Sequence, residues 1–107
     1  MLNVDAAFDR IGSALRERRY AVTKDERPPD APGDRVVLFE SQDMHVRVRW
    51  HGKPRMLTLH VHVDGEWVEF ARRNFGPAGL EETSIDALGR AVRNEVAETS
   101  TDSDSGT

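Results

Sequence analysis

Between Val4 and Arg19 apolar residues recur at Val4, Phe8, Ile11 and Leu15. These spacings of four, three and four residues place them on one side of an α-helix, with Ala7 and Ala14 beside the stripe. Asn3 is positioned to cap the first turn, and the RERR cluster ends the segment where the helix dipole favours cations. From Val36 the rhythm changes to alternation. The runs VVLFES, MHVRVRWH, RMLTLHVHVD and EWVEFARR follow one another through connections too short to hold crossover helices, so they predict a four-stranded antiparallel meander. After NFGPAGL the helical rhythm returns. Thr83 and Asp86 offer a capping-box-like start, and Ile85, Leu88, Val92 and Val96 form a second apolar stripe. The expected class is α+β in the order α-β-β-β-β-α, with the N- and C-terminal helices packed on one face of the sheet and the other face open.

Two segments fall outside these rhythms. KDERPPDAPGDR, residues 24–35, combines three prolines, a glycine and several charges, and reads as a mobile loop. The final residues 99–107, TSTDSDSGT, are small, polar and acidic, and are expected to be a disordered tail because they bury too little apolar area to offset ordering entropy. Residues 1–98 are expected to form one domain, since 107 residues supply one modest core.

Turn chemistry fixes the strand register. Asp64-Gly65 is a two-residue hairpin signal because both positions tolerate positive φ, which sets Val63 against Glu66, His62 against Trp67 and His60 against Glu69. The other face then pairs Val61 with Val68 and Leu59 with Phe70. In the preceding hairpin a loop of Gly52-Lys53-Pro54-Arg55 sets His51 against Met56, Trp50 against Leu57, Val48 against Leu59 and Val46 against Val61. A slip of one residue would oppose apolar to polar throughout. Outward-facing rows therefore emerge: His45, His62 and Trp67; Arg47, His60 and Glu69; and Arg49 beside Thr58. Neighbours within a row stand about 4.5 to 5.5 Å apart at Cβ.

These rows supply cation-π and charge-assisted hydrogen-bonding partners, and His45, Arg47, Arg49, His60, His62, Trp67 and Glu69 are the candidate binding residues. Val37 and Phe39 join them for a different reason. VVLFE is apolar on both sides and is expected at the sheet edge, where main-chain groups invite pairing with another chain, including a second copy.

Composition narrows the chemistry. Hydrophobic residues make up 37% and charged residues 32%, and no apolar run approaches the roughly 20 residues that span a bilayer. No membrane role is expected. The N-terminus lacks the basic start and uninterrupted apolar core of a signal peptide, which makes the cytoplasm the default location. The absence of cysteine excludes disulfides, thiolate metal sites and cysteine nucleophiles. The net charge is −4, but acidic residues concentrate in KDERPPD, LEET and the tail, leaving the strands locally basic.

A non-enzymatic protein- or peptide-binding module fits these features best, since Trp, Arg and Met are enriched at interface centres. Single-stranded nucleic acid is the alternative, because Arg47, Arg49, Lys53, Arg55 and Arg73 lie on or beside a face carrying Trp67. A metal site built on His60, His62, His45 and Glu69 is a weaker reading, opposed by the adjacent Arg47. No cofactor and no catalytic residue are expected. Gly76, Gly79 and Gly89 do not assemble a phosphate loop, no serine sits in a nucleophile turn, and a flat face leaves acid-base groups solvated.

LRERRYAVTKDE followed by VVLFESQDMHVRVRW resembles the start of small bacterial domains of the YbjN and secretion-chaperone type, over roughly residues 3 to 70. The likeness is one of layout. It implies a non-catalytic, often dimeric, peptide- or protein-binding role.

Overall fold

The computed structural model describes residues 2–42, 44–77 and 79–92. Helix α1 spans Val4–Arg16 and opens as its sequence requires, with the Asn3 side chain accepting a hydrogen bond of 2.7 Å from the Ala6 N–H. It ends in a tight turn. Arg19 adopts the left-handed conformation (φ 67°), and the Tyr20 N–H bonds back to the Leu15 carbonyl.

Five strands follow: β1 Ala21–Glu26, β2 Arg35–Glu40, β3 His45–His51, β4 Met56–Val63 and β5 Glu66–Asn74. They form one antiparallel sheet in the order β1-β2-β3-β4-β5. A second helix, α2, occupies 82–92 among the described residues. The α+β class, the antiparallel meander and the two helices agree with the sequence. The strand number does not. AVTKDE pairs with β2 from Ala21↔Glu40 to Glu26↔Val36, so residues 24–26 are strand, and the Pro-rich connector shrinks to 27–34.

That connector is held down at its end. Asp34 accepts hydrogen bonds of 2.8 Å from both the Gly52 N–H and Arg49 Nη2, fixing it against the β3–β4 turn. The approach there is close enough that a Cβ on Gly52 would stand 2.8 Å from the Gly33 carbonyl oxygen. The stretch expected as a mobile loop from 24 to 35 is thus strand at both ends and pinned before β2. The expected tail at 99–107 and the stripe residue Val96 lie outside the described residues.

The register follows the turns. Trp50↔Leu57, Val48↔Leu59 and Val46↔Val61 pair across β3–β4, and Asp64 and Gly65 take positive φ (51° and 82°) in the β4–β5 turn. One pairing differs from expectation. A bulge between Leu59 and His60 sets Leu59 against Ala71, leaving Phe70 as the extra residue of β5.

Below the sheet, Val37, Phe39, Val48, Trp50, Leu57 and Leu59 meet Phe8, Ile11 and Leu15 of α1 and Ile85, Leu88 and Val92 of α2 in one core. Gly12 brings α1 close over β2, since a Cβ there would already touch the Phe39 ring at 3.5 Å. Asp86 lies within α2 and takes no part in a cap. Its carboxylate instead accepts two hydrogen bonds from Arg10, 2.9 and 2.7 Å long, tying the helices together. Arg35 links a third pair of elements: it reaches Asp25 of β1 and Asp5 of α1 and lies 4.7 Å from the centre of the Phe8 ring.

Candidate functional site

The face of the sheet opposite the helices carries the side chains that alternation sends outward. Cross-strand pairing assembles them into rows, one of Glu26, Val36, Arg49, Thr58 and Arg72, another of Lys24, Leu38, Arg47, His60 and Glu69. A third contains Glu40, His45, His62 and Trp67.

Within the third row the rings touch in sequence. The His45 and His62 centroids are 6.0 Å apart, and His62 meets Trp67 edge-on at 5.0 Å. Glu40 stands 3.3 Å from His45 Nδ1. Arg47 reaches across from β3 and lies 4.7 Å from the centre of the Trp67 ring, so the second and third rows join at a cation-π contact. Sequence reasoning placed His45, Arg47, His60, His62, Trp67 and Glu69 together, and the fold does so.

Their charge partners are less legible from sequence. Glu69 engages Arg72, with hydrogen bonds of 2.9 and 3.0 Å, and Arg72 holds its carboxyl below the usual range. Arg49 engages Asp34. Burial pushes Asp34 upward, but the Gly52 N–H and Arg49 overcome it and leave its pKa lowered. His51 bonds Thr58 Oγ1 at 2.9 Å, which satisfies a threonine only 2% exposed. Burial, helped by Arg49, lowers the His51 pKa, and burial with Arg47 does the same for His60.

Arg47 differs from the other arginines of the sheet. Among the described residues it makes no ion pair or hydrogen bond, and its Nε is buried without an acceptor. Burial and then Arg49 pull its pKa below the ordinary arginine value. Arg49 Nε and His60 Nδ1 are also buried and unmatched. Beside them Lys24, Glu26, Pro28, Val36, Leu38, Arg47, Arg49 and Trp67 line a groove of about 280 Å³. Residues of β1, β2, β3 and β5 all contribute to it.

Several expectations are corrected here. Strand β2 is paired on both sides, so Val37 (3% exposed) and Phe39 (2%) lie in the core under α1 and present no edge to a partner. Arg73 opposes Leu57 on the helix side of the sheet, and Arg55 lies 5.6 Å from the Trp50 ring with Nε on the Gly76 carbonyl. The expected basic array is therefore split between two faces. Among the described residues no three of His, Asp or Glu converge so as to hold a metal ion. Sequence reasoning missed Lys24, Val36, Leu38 and Asp34. The first three depend on β1 being a strand, and Asp34 on the connector folding back to Gly52.

No family model, curated protein or solved structure matches the chain. No helix among the described residues is long and apolar enough to cross a membrane.

Proposed function

We propose that this domain is a non-enzymatic protein- or peptide-binding module that uses the open face of its sheet. The observation that carries the reading is the Arg47–Trp67 stack beside a groove that neither described helix lines, with polar capacity left unmatched among the described residues. Arginine and tryptophan dominate binding energy where they sit together in partly desolvated positions. The layout resemblance to small secretion-chaperone domains points the same way.

Charge balance disfavours the nucleic-acid alternative. Lys24, Arg47, Arg49 and Arg72 on this face are equalled in number by Glu26, Glu40, Glu69 and Asp34, although Arg47 itself pairs with none of them. A polyanion needs a surplus of cations to displace counterions. A protein partner needs only local complementarity.

A photo-crosslinking residue placed at His62, with Arg90 of α2 as the control position, tests this in cells. Adducts concentrated at position 62 and weakened at least about 30-fold in partner affinity by Trp67→Ala are expected for an interface centre. Equal labelling at both positions removes the reading. The adduct mass separates a second copy of the chain from a different protein.

A further inference from the structure

The groove on the open face has an apolar floor, Val36 and Leu38, and walls from Pro28 and Trp67. Three cations reach it, Lys24, Arg47 and Arg49, and they differ. Lys24 is 3.1 Å from Glu26, whereas Arg47 has no carboxylate among the described residues. The other half-buried arginines among the described residues have acceptors: Arg35 bonds Asp25 and Asp5, Arg49 bonds Asp34, and Arg55 bonds the Gly76 carbonyl. A buried guanidinium donor without an acceptor is costly. The Arg47 Nε is shut off from solvent, so an incoming acceptor would meet the terminal Nη groups of a guanidinium whose charge no carboxylate among the described residues answers.

We propose that Arg47 is the recognition point for one carboxylate, borne by an acidic side chain of an extended peptide whose aliphatic neighbour two residues away rests on Val36 and Leu38. This rests on the peptide-binding reading above. A single unmatched positive charge fits a monoanion, and Glu26 and Glu69 on the same face oppose a dianion such as phosphate. The guanidinium fork is shaped for a carboxylate, and stacking on Trp67 holds its plane. Leu38 is the cross-strand neighbour of Arg47, about 5 Å away at Cβ, while side chains two residues apart on an extended peptide stand about 7 Å apart. One ligand strand can therefore serve both subsites.

The probe is isocaproate, a branched aliphatic monocarboxylate, with isocaproamide as its uncharged counterpart. Titration followed by NMR at Arg47 Nε–H and the Trp67 indole N–H should give saturable shifts in the millimolar range, at least about tenfold weaker for the amide. The titration of Arg47→Gln, followed at the Trp67 indole N–H alone, should lose the difference between acid and amide, while Arg47→Lys, which keeps charge without the fork, should retain part of it. Well-dispersed spectra of both variants establish that they fold. Equal response to acid and amide, shifts centred elsewhere, or tighter binding of phosphate or a labelled single-stranded oligonucleotide overturns the carboxylate site. Adducts at position 62 that persist despite such a result leave the broader peptide-binding reading standing.

Discussion

The two faces of β3 and β4 share one backbone and little else. Below, Val46, Val48, Trp50, Leu57, Leu59 and Val61 are almost wholly buried against one another or the helices. Above, Arg47, Arg49, His51, Thr58 and His60 are also substantially shielded, yet three of their nitrogens find no partner. Burial alone therefore does not distinguish the faces. The lower face of these strands is apolar and closed, whereas the upper face carries nitrogens that no group among the described residues matches. Stability should reside below and recognition above, which makes the two separable by mutation.

The largest effect should come from the lower face. Leu59→Ala is expected to destabilise by about 3 kcal/mol in urea unfolding, because a fully buried leucine in a closed core leaves a cavity. A loss below about 1 kcal/mol would mean that the helices pack loosely enough to collapse onto the gap. Next comes the junction between faces. Asp34→Ala removes the acceptor of both Arg49 and the Gly52 N–H and should cost about 2 kcal/mol by thermal denaturation.

The pH dependence just below neutrality is assigned to the upper face. His51 and His60 have pKa values depressed below the ordinary 6.5, so the native state favours the neutral rings. Their contribution is complete above that value and is lost as pH falls through the depressed values. A variant carrying His51→Gln and His60→Gln should flatten the stability profile on the acid side of 6.5. The steeper loss should remain at lower pH, where Asp25, Asp34 and Asp86, depressed below their ordinary 3.8, and Glu69, depressed below its ordinary 4.5, become protonated. The smallest stability effect should be Trp67→Ala, about 1 kcal/mol on unfolding, since the ring is only partly buried and lies outside the core. Its effect on partner affinity should nonetheless exceed that of Leu59→Ala measured at a temperature where both variants are folded.

The sequence made the lower face readable because alternation and turn chemistry agree there independently. Register from Val46 to Trp67 follows from Asp64-Gly65 and from the apolar parity of β3 and β4. Strand β1 was not readable. Every residue of AVTKDE is exposed, so no burial contrast marks either side, and the charges and nearby prolines imitate a loop. Losing that strand turned β2 into an apparent edge and promoted Val37 and Phe39 to surface candidates. The bulge does leave a trace in the sequence. Phe70 and Ala71 are adjacent and both pack against the core, which strict alternation does not permit. Ion-pair choice at Glu69 was beyond reach, because that same bulge decides where Arg72 stands.

Both outermost strands are interrupted, β1 between Val22 and Lys24 and β5 opposite Leu59 and His60. Lys24, Asp25 and Glu26 line one margin, with Glu66, Glu69, Arg72 and Arg73 along the other. A neighbouring polypeptide would meet kinked ladders and solvated charges on either flank. The molecule is thereby a poor seed for edge-to-edge fibres, and visitors should land from above, in the groove, instead of lengthening the ribbon sideways.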